Sequence, residues 1–477
     1  MKRRIILFGL LIIYVLLINS PVIIAWLSNL PPRPFRDDFA SALGMIGLAM
    51  ILLEFVFSGR FKSISSPVGI DIIMRSHQVL GRVVILLLFL HPMLYSLPTN
   101  RTLPWDSYFT LTTRLDSTDT ITGMLAWIGI ALVVFMAVMR DALQTRYEQW
   151  RRSHLILSVI TVVLALIHAM GAGRYTDFAA VDMVWAALAL LALVALIHVY
   201  LVLPMQQKRH AYIIDSITVV ANNCWRLVLK PQDGRVLQYL AGQFAWLKFS
   251  GPFFSLQEHP FSISSSPANR KSLEFTIKGF GDFSSRLDSL DIGSSVYVDG
   301  PHGHFNLHNR ASNGLMLIAG GIGIAPIISI LRQLADEHYE NPVMLITCNN
   351  TPSDLAYRSE LNELSSRLNI QSIHLASSGG EDSTCLKGRL SYQLLADNMP
   401  DDPEAWLYFV CGPAGMMDTA EHSLLHLGAP LKQIVTERFV YDARSLSRRS
   451  RYILYTIMGI VSITILTILG FSLHLFK

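Results

Sequence analysis

The chain has 477 residues, of which 51% are hydrophobic and only 16% are charged. Soluble domains usually carry about 25% charged residues, so a large part of this chain is expected to lie in a lipid bilayer. The formal net charge of +4 is small for this length and gives no reason to expect a nucleic-acid partner. The composition therefore excludes a fully soluble enzyme and a disordered scaffold.

The cysteines are few and scattered. The sequence contains Cys224, Cys348, Cys385 and Cys411, with no C-x-x-C pair. This spacing excludes a cysteine-ligated iron–sulfur cluster and offers no disulfide framework.

Six apolar runs in the N-terminal part of the chain approach the length that an α-helix needs to cross a bilayer. They predict an all-α bundle of six membrane-spanning helices over residues 1–204. The runs cover about residues 5–27, 39–57, 76–97, 121–139, 153–170 and 181–203.

Lysine and arginine residues are concentrated in alternate loops of this bundle. Cytoplasmic loops carry the excess of positive residues, so both ends of the six-helix block are expected to face the cytoplasm. The basic loops contain Lys2, Arg3, Arg4, Arg60, Lys62, Arg75, Arg140, Arg146, Arg151, Arg152, Lys208 and Arg209, whereas the opposite loops contain Arg33, Arg36, Arg101, Arg114 and Arg174.

The character of the sequence changes after Pro204. Short alternating runs predict a strand-rich domain over residues 205–310. Over residues 311–441, apolar strands followed by helices predict a parallel α/β domain. Residues 442–477 are predicted to form a basic linker and a seventh transmembrane helix that begins in the cytoplasm and ends outside at Lys477.

Four histidines repeat one interval in two of the predicted spans. His77 and His91 in span three are spaced i, i+14, and so are His154 and His168 in span five. This interval returns to within about 40° of the same helix face over a rise of about 21 Å. If the two helices touch, His77 faces His154 and His91 faces His168, and each pair could bind one haem iron from both sides. A single such histidine could equally be a hydrogen-bonded polar residue, as we expect for His198, but the repeat favours haem.

Two charged residues, Glu54 and Arg82, lie within the predicted spans. Glu54, near the inner end of span two, is expected to extend toward the membrane surface. Arg82, one turn beyond His77, could neutralise a haem propionate or extend toward the surface in the same way.

The segment S-H-Q-V-L-G-R at 76–82, followed by His91, and the S-H-x13-H segment at 153–168 resemble the transmembrane domain of the NADPH oxidase and ferric reductase family. In that family such histidines hold two b-type haems stacked across the membrane. The resemblance therefore implies two haem b groups, ligated by His77, His91, His154 and His168.

The segment H-P-F-S-I-S-S at 259–265 follows Gly242-Gln243-Phe244. It resembles the flavin-binding segment of the ferredoxin–NADP reductase superfamily, in which an antiparallel β-barrel FAD domain precedes an α/β nucleotide-binding domain. The resemblance implies that Phe261 packs on the isoalloxazine, that Ser262 places its hydroxyl near flavin N5, and that His259 lies near the pyrophosphate. The implied FAD-binding residues here are His259, Pro260, Phe261 and Ser262.

The segment K-G-F-G-D-F-S-S-R-L at 278–287 is typical of a strand, a glycine turn and a helix start. Glycines let the backbone approach a diphosphate, and N–H groups at a helix N-terminus stabilise its charge. A hairpin and a capped helix would explain this piece alone, but its occurrence with the flavin motif favours FAD binding. The expected FAD-binding residues here are Lys278, Gly279, Gly281, Ser284 and Ser285.

Two strand ends are expected to bind the nicotinamide nucleotide. An apolar strand precedes G-G-I-G-I-A-P at 320–326, and another ends in C-G-P at 411–413. Proline suits the first turn of a helix, and the ferredoxin reductase superfamily uses this G-x-G-x-x-P form. In relatives the C-G-P loop lies beside the nicotinamide. The expected nucleotide-binding residues are Gly320, Gly321, Gly323, Pro326, Cys411, Gly412 and Pro413.

Cofactor preference depends on the residues after the next strand. Asn349 and Asn350 stand where an acidic side chain would bind a ribose hydroxyl and repel a 2′-phosphate. Because Arg358 could reach that phosphate, NADPH is favoured, although NADH is possible. Relatives place an aromatic residue over the flavin where this chain has E-R-F-V-Y, which implies that role for Phe439 or Tyr441. Ser262, Cys411 and Phe439 are the expected catalytic residues, although a lone cysteine such as Cys411 is more often a core residue.

These parts imply an electron path from cytosolic NAD(P)H through FAD, an inner haem and an outer haem, because a flavin links two-electron and one-electron chemistry. With two histidines on each iron, oxygen (giving superoxide) or a ferric or cupric complex would take electrons at the outer haem edge, where the loop 98–120 could shape a pocket. An alternative is a module that passes electrons to a quinone or to an exported redox partner. A haem-binding sensor is disfavoured because both nucleotide sites look complete.

Overall fold

A computed structural model describes residues 2–28, 30, 33–58, 61, 70–96, 118–140, 142, 147–171, 175, 178–249, 257–281, 283–378, 384–437 and 448–473. The chain forms two compact units. One comprises Met1–Val68, Ile72–Val202 and Arg448–Lys477, and the other comprises Gly69–Asp71 and Leu203–Ser447.

The first unit is built from helices. Within its described residues, six helices are long and apolar enough to cross a membrane, as predicted. The helices are α1 (Lys2–Leu27), α2 (Phe35–Phe57), α3 (Ile70–Ser96), α4 (Thr118–Val138), α5 (Tyr147–Gly171), α6 (Ala179–Ile197, followed by a π-helical turn at His198–Val202) and, at the C-terminal end of the described chain, α12 (Arg448–Ser472).

The helix α2 is the most buried of the six. It packs against α1, α5, α6 and α12. Small side chains on α2, including Ala40, Ala42 and Ala49, are fully buried, and they let the neighbouring helices approach closely. Helix α12 joins the same core through Ile468 and Phe471, and its described apolar segment, Met458–Ser472, is shorter than the six spans.

The second unit begins with the short helix α7 (Leu203–Arg209) and an antiparallel sheet in the order β4-β3-β6-β1-β2-β5. A bridge between Ile263 and Phe275, beyond the end of β4, connects the two edges of this sheet. The predicted antiparallel β-barrel is therefore confirmed. The strands are β1 (Tyr212–Ala221), β2 (Cys224–Pro231), β3 (Phe244–Phe249), β4 (His259–Ser262), β5 (Leu273–Lys278) and β6 (Ser295–His302).

A second sheet is wholly parallel and has the order β10-β9-β8-β7-β11-β12. The predicted α/β domain is therefore confirmed as well. Its strands are β7 (Gly314–Gly320), β8 (Val343–Asn349), β9 (Ile370–Ala376), β10 (Leu386–Lys387), β11 (Trp406–Cys411) and β12 (Ile434–Glu437), and its helices are α8 (Ile324–Asp336), α9 (Arg358–Arg367), α10 (Tyr392–Asp397) and α11 (Ala414–His426).

One arginine joins the barrel to the parallel sheet. The Arg332 guanidinium in α8 donates to the Ser264 carbonyl and to Glu274 Oε2 of the barrel, each at 2.8 Å. It also forms two hydrogen bonds with Glu360 of α9. A buried charge of this kind is stable only with such partners, so Arg332 fixes the two domains of this unit against each other.

Candidate functional site

The outer histidine pair lies between two helix hairpins. The rings of His91 in α3 and His168 in α5 have centroids 6.3 Å apart and are inclined by 75°. His91 Nδ1 lies 2.7 Å from the Ala40 carbonyl oxygen of α2, and His168 Nδ1 lies 2.8 Å from the Asp119 carbonyl oxygen of α4. Because a carbonyl oxygen only accepts, both Nδ1 atoms carry protons and both Nε2 atoms present lone pairs.

A glycine one turn beyond each carbonyl makes room for these rings. A methyl group added to Gly44 of α2 would lie 2.7 Å from the His91 ring, and one added to Gly123 of α4 would lie 2.6 Å from His168 Nδ1. Each outer histidine is thus held by the same device, a carbonyl at position i and a glycine at position i+4. The chain uses this device twice, once in each hairpin.

The inner pair is held differently on its two sides. His77 Nδ1 of α3 lies 2.6 Å from Glu54 Oε2 of α2, and Glu54 is 9% exposed. The expectation that Glu54 extends to the membrane surface is therefore wrong, since the histidine binds its carboxylate. His154 of α5 stacks on Trp150, with ring centroids 5.3 Å apart. The buried His154 Nδ1 has no hydrogen-bond partner among the residues that the structure describes.

These features fit an axial haem site. Metal-binding histidines almost always donate their other ring N–H to a carbonyl or carboxylate, as His77, His91 and His168 do. Two imidazoles that share one metal, with bonds of about 2 Å each, have ring centroids about 6 Å apart. A further histidine in the described membrane helices, His198, stacks on Phe61 instead, with centroids 4.8 Å apart.

The flavin segment lies on β4, beside β3. Ser262 is buried and pairs with Phe244, and Phe261 pairs with Ala245. His259 stacks on Phe283, with ring centroids 4.2 Å apart, and Pro260 pairs with Trp246. The four residues expected to bind FAD therefore lie together along one strand of the barrel.

The second expected FAD segment folds partly as predicted. After β5, the chain turns at Gly279 and Gly281 and continues in a 3₁₀ helix that includes Ser284 and Ser285. The backbone N–H groups of Phe280 and Gly281 both donate to Ser284 Oγ. These N–H groups are therefore used within the turn rather than presented to a diphosphate. Lys278 Nζ lies 3.9 Å from Asp354 Oδ1 of the α/β domain.

The two nucleotide loops pack against each other through glycines. Strands β7 and β11 are neighbours, and the strand order reverses between them. Open parallel sheets bind ligands beyond the carboxyl ends of their strands at such a point. An added methyl on Gly323 would collide with the Cys411 carbonyl oxygen, and one on Gly320 would lie 2.6 Å from Pro413 Cδ.

Two more glycines and a proline were expected to bind the nucleotide. Gly321 and Gly412 have φ values of +51° and +158°. Pro326 lies in the first turn of α8, as predicted.

A carboxylate that the sequence reading overlooked lies beside these loops. Glu437 ends β12, pairs in register with Cys411 and is 4% exposed. Its Oε2 lies 3.4 Å from the methyl position of Gly303, and the Phe244 ring lies 3.1 Å from the same position. Since Phe244 pairs with Ser262, the ends of β4, β11 and β12 meet at one junction. Burial and the Glu437 charge raise the pKa of the Cys411 thiol.

The region after β8 contains the residues expected to distinguish NADPH from NADH. An Arg358 Nη atom donates to the Pro352 carbonyl at 2.9 Å and lies 4.0 Å from Cys385 Sγ. His374 lies nearby with its Nδ1 2.8 Å from Thr347 Oγ1, and burial and the Arg358 charge lower its pKa. Phe439, Tyr441 and most of the 98–120 loop lie outside the described residues.

Comparison with known proteins matches three parts of the chain to known domain families. Residues 43–165 match the ferric reductase like transmembrane component, residues 211–308 match an FAD-binding domain, and residues 317–422 match an oxidoreductase NAD-binding domain. The chain has the domain architecture of the NADPH oxidase and ferric reductase family. It is therefore an integral membrane protein with an FAD-binding and an NAD-binding domain.

Individual relatives resemble about half of this chain. The glycine betaine monooxygenase reductase subunit of Chromohalobacter salexigens is 26% identical over 232 residues, which are 45% of this chain and 63% of that protein. The propane 2-monooxygenase reductase component of Gordonia sp. strain TY-5 is 29% identical over 224 residues, which cover 45% and 62% of the two chains. The FAD/NAD-binding domain of a Vibrio cholerae nitric oxide dioxygenase is 24% identical, with a TM-score of 0.43 and coverage of 48% and 98%.

Proposed function

We propose that this chain is an NAD(P)H-dependent flavohaem oxidoreductase that carries electrons across a membrane to an acceptor on its outer face. The observation that supports it most directly is the 6.3 Å separation of the His91 and His168 rings, each bound through Nδ1 to a carbonyl of a neighbouring helix. FAD and two b-type haems, when bound, supply the conversion of hydride chemistry into single-electron transfer.

Within this proposal the helices fix and shield the path. His91 and His168 would hold the outer haem iron, and His77 and His154 would hold the inner one. The apolar surfaces of α2 to α5 exclude water between the two pairs. By the positive-inside rule, the N-terminus and the nucleotide-binding domains lie in the cytoplasm, so electrons leave on the opposite face.

At the cytoplasmic end, the chain binds and orients two nucleotides. The glycine loops after β7 and β11 let the backbone approach the NAD(P)H diphosphate. Phe261 and Ser262 position the flavin. Cys411 and Glu437 lie at the same junction, where the C-G-P loop would lie beside the nicotinamide. The Cys411 thiol itself is fully buried beneath that loop, and burial raises its pKa and keeps it neutral.

The acceptor is tested by assaying the full-length protein in lipid nanodiscs with NADPH and FAD. Reduction of cytochrome c that superoxide dismutase suppresses supports oxygen as the acceptor, and direct reduction of a ferric or cupric chelate supports a metal complex. If reduction requires added quinone, the quinone-linked alternative replaces both. No reduction with any acceptor, despite bound FAD and haem, contradicts transmembrane electron transfer.

Gly123→Ala is expected to remove the outer haem, because the added methyl group would lie 2.6 Å from His168 Nδ1 and displace the ring from its carbonyl. The measurement is the haem content per chain after purification. Gly459→Ala on α12 is the control, since an added methyl there meets nothing within 4 Å and the helix carries no expected haem ligand. Two haems in G123A, with an unchanged spectrum, would show that the site does not depend on this ring position.

Alkylation of the cysteines is expected to report where the 2′-phosphate binds. Burial raises the pKa of Cys224 to about 11 and that of Cys348 to about 12, so both thiols stay almost wholly protonated at pH 8 and react slowly. Cys385, beside Arg358, is partly exposed. NADP⁺ is therefore expected to slow Cys385 alkylation several-fold, whereas NAD⁺ does not.

Mass spectrometry of the alkylated peptides measures this protection. Arg358→Ala is expected to abolish it without exposing Cys224 or Cys348. Equal protection by the two nucleotides would argue against a 2′-phosphate site at Arg358.

A further inference from the structure

The inner and outer histidine pairs differ in the charge of their hydrogen-bond partners. Both outer histidines donate to neutral backbone carbonyls. His77 donates to a carboxylate, and the buried His154 Nδ1 has no partner among the described residues. A full negative charge therefore contacts a histidine in the inner layer and neither histidine in the outer layer.

The register of the two hairpins explains this difference. Helix α2 runs antiparallel to α3, so Ala40 lies opposite His91, and Glu54, at the i+14 position from Ala40, lies opposite His77. Helix α4 is related to α5 in the same way, with Asp119 opposite His168. The i+14 position from Asp119 is Val133, which is buried and has no polar side-chain atom. The two hairpins thus repeat one arrangement, and Glu54 is the departure from it.

A carboxylate that accepts the Nδ1–H bond makes an imidazole a stronger electron donor to a metal on Nε2. In a low-dielectric bundle the same charge also stabilises the more positive oxidation state of a nearby iron. Both effects lower the reduction potential of that iron. Among the described residues no carboxylate accepts a hydrogen bond from His91 or His168, so an iron held by these two histidines would keep the higher potential.

We propose that Glu54 is a positioning residue that lowers the reduction potential of the inner haem below that of the outer haem and so directs electrons outward. This inference rests on the haem assignment made under the proposed function. One electron leaves the reduced inner iron, which is oxidised, and reduces the oxidised outer iron. No atom is transferred, and the reductant is NAD(P)H through FAD.

The test is a potentiometric titration of the full-length protein in nanodiscs, followed by haem absorbance. Glu54→Gln keeps an oxygen that can accept the His77 proton but removes the charge. We expect the lower of the two midpoint potentials to rise by at least about 59 mV, a tenfold change in the electron-sharing equilibrium, while the higher midpoint is unchanged. Glu54→Asp, which keeps the charge, is expected to retain more of the difference.

Val133→Gln makes the opposite kind of change, because it adds a polar side chain on α4. It gives His154 an acceptor where α4 has none, and it is expected to shift the inner midpoint downward. This variant also keeps the inference testable if Glu54→Gln loses the inner haem.

The outcomes separate two failures. Two haems whose midpoints are unchanged in E54Q and in V133Q overturn the role of Glu54 and leave the proposed function intact. A shift of the outer midpoint alone also overturns it. A wild-type protein that binds no haem contradicts the proposed function itself.

Discussion

Replacing His168 with leucine is expected to halve the haem content of the purified protein and to stop electron transfer to outer acceptors, while NADPH still reduces FAD. The reason is that His168 and His91 form one pair, with rings 6.3 Å apart, and an iron bound by both loses an axial ligand when either is removed. The His77–Glu54 contact and the nucleotide domains are not touched by the change. The measurements are haem per chain, the rate of flavin bleaching by NADPH, and the rate of acceptor reduction.

His91→Leu is expected to give the same result, because the two residues act on one iron. His198→Leu is the matched control, since His198 stacks on Phe61 and is not an expected ligand. It should retain both haems and wild-type acceptor reduction. Two haems in both H91L and H168L would show that the ligands have been assigned wrongly.

Gly323→Ala is expected to weaken NADPH binding about ten- to hundredfold while leaving the haem content intact. A methyl group at this position collides with the Cys411 carbonyl oxygen, so the loops after β7 and β11 must separate. Overpacking of this kind costs about 1–3 kcal/mol. Since these loops form the expected diphosphate site, the cost should appear as a higher KM for NADPH in steady-state assays.

Gly459→Ala is a suitable control for this change. Gly459 lies in helix α12, and an added methyl there meets nothing within 4 Å. Its KM for NADPH should match that of the wild type. Loss of haem in G323A with an unchanged KM would show that the glycine loop does not bind the nucleotide.

The sequence predicted the spans because they depend on local patterns, whereas the barrel was implied by the resemblance of the flavin segment to the ferredoxin–NADP reductase superfamily. Six apolar runs of spanning length gave six helices, and the motifs placed the FAD and NAD domains in the right order. The histidine interval placed His91 and His168 on facing stripes for the same reason, since helical periodicity is a property of nearby residues. The structure then brought these rings together.

The partners of the histidines could not be predicted, because backbone carbonyls leave no signal in a sequence. Ala40 and Asp119 accept protons from His91 and His168 through main-chain oxygens, and this depends on the register between helices. Glu54 was misread for the same reason, since only a tertiary contact distinguishes a buried acceptor from a surface-seeking side chain. Glu437 was overlooked because its role depends on the meeting of three strand ends. The one signal in the sequence was that Glu437 is an acidic residue at the end of an apolar strand.

The measurement that tests the central claim most directly is pyridine haemochrome quantification of the purified full-length protein, combined with a reduced-minus-oxidised absorbance spectrum. Two b-type haems per polypeptide, with the low-spin spectrum of bis-histidine ligation, are the expected result. Fewer than two haems per chain in fully reconstituted protein, or a spectrum with an open axial position, would contradict the paired-histidine electron path.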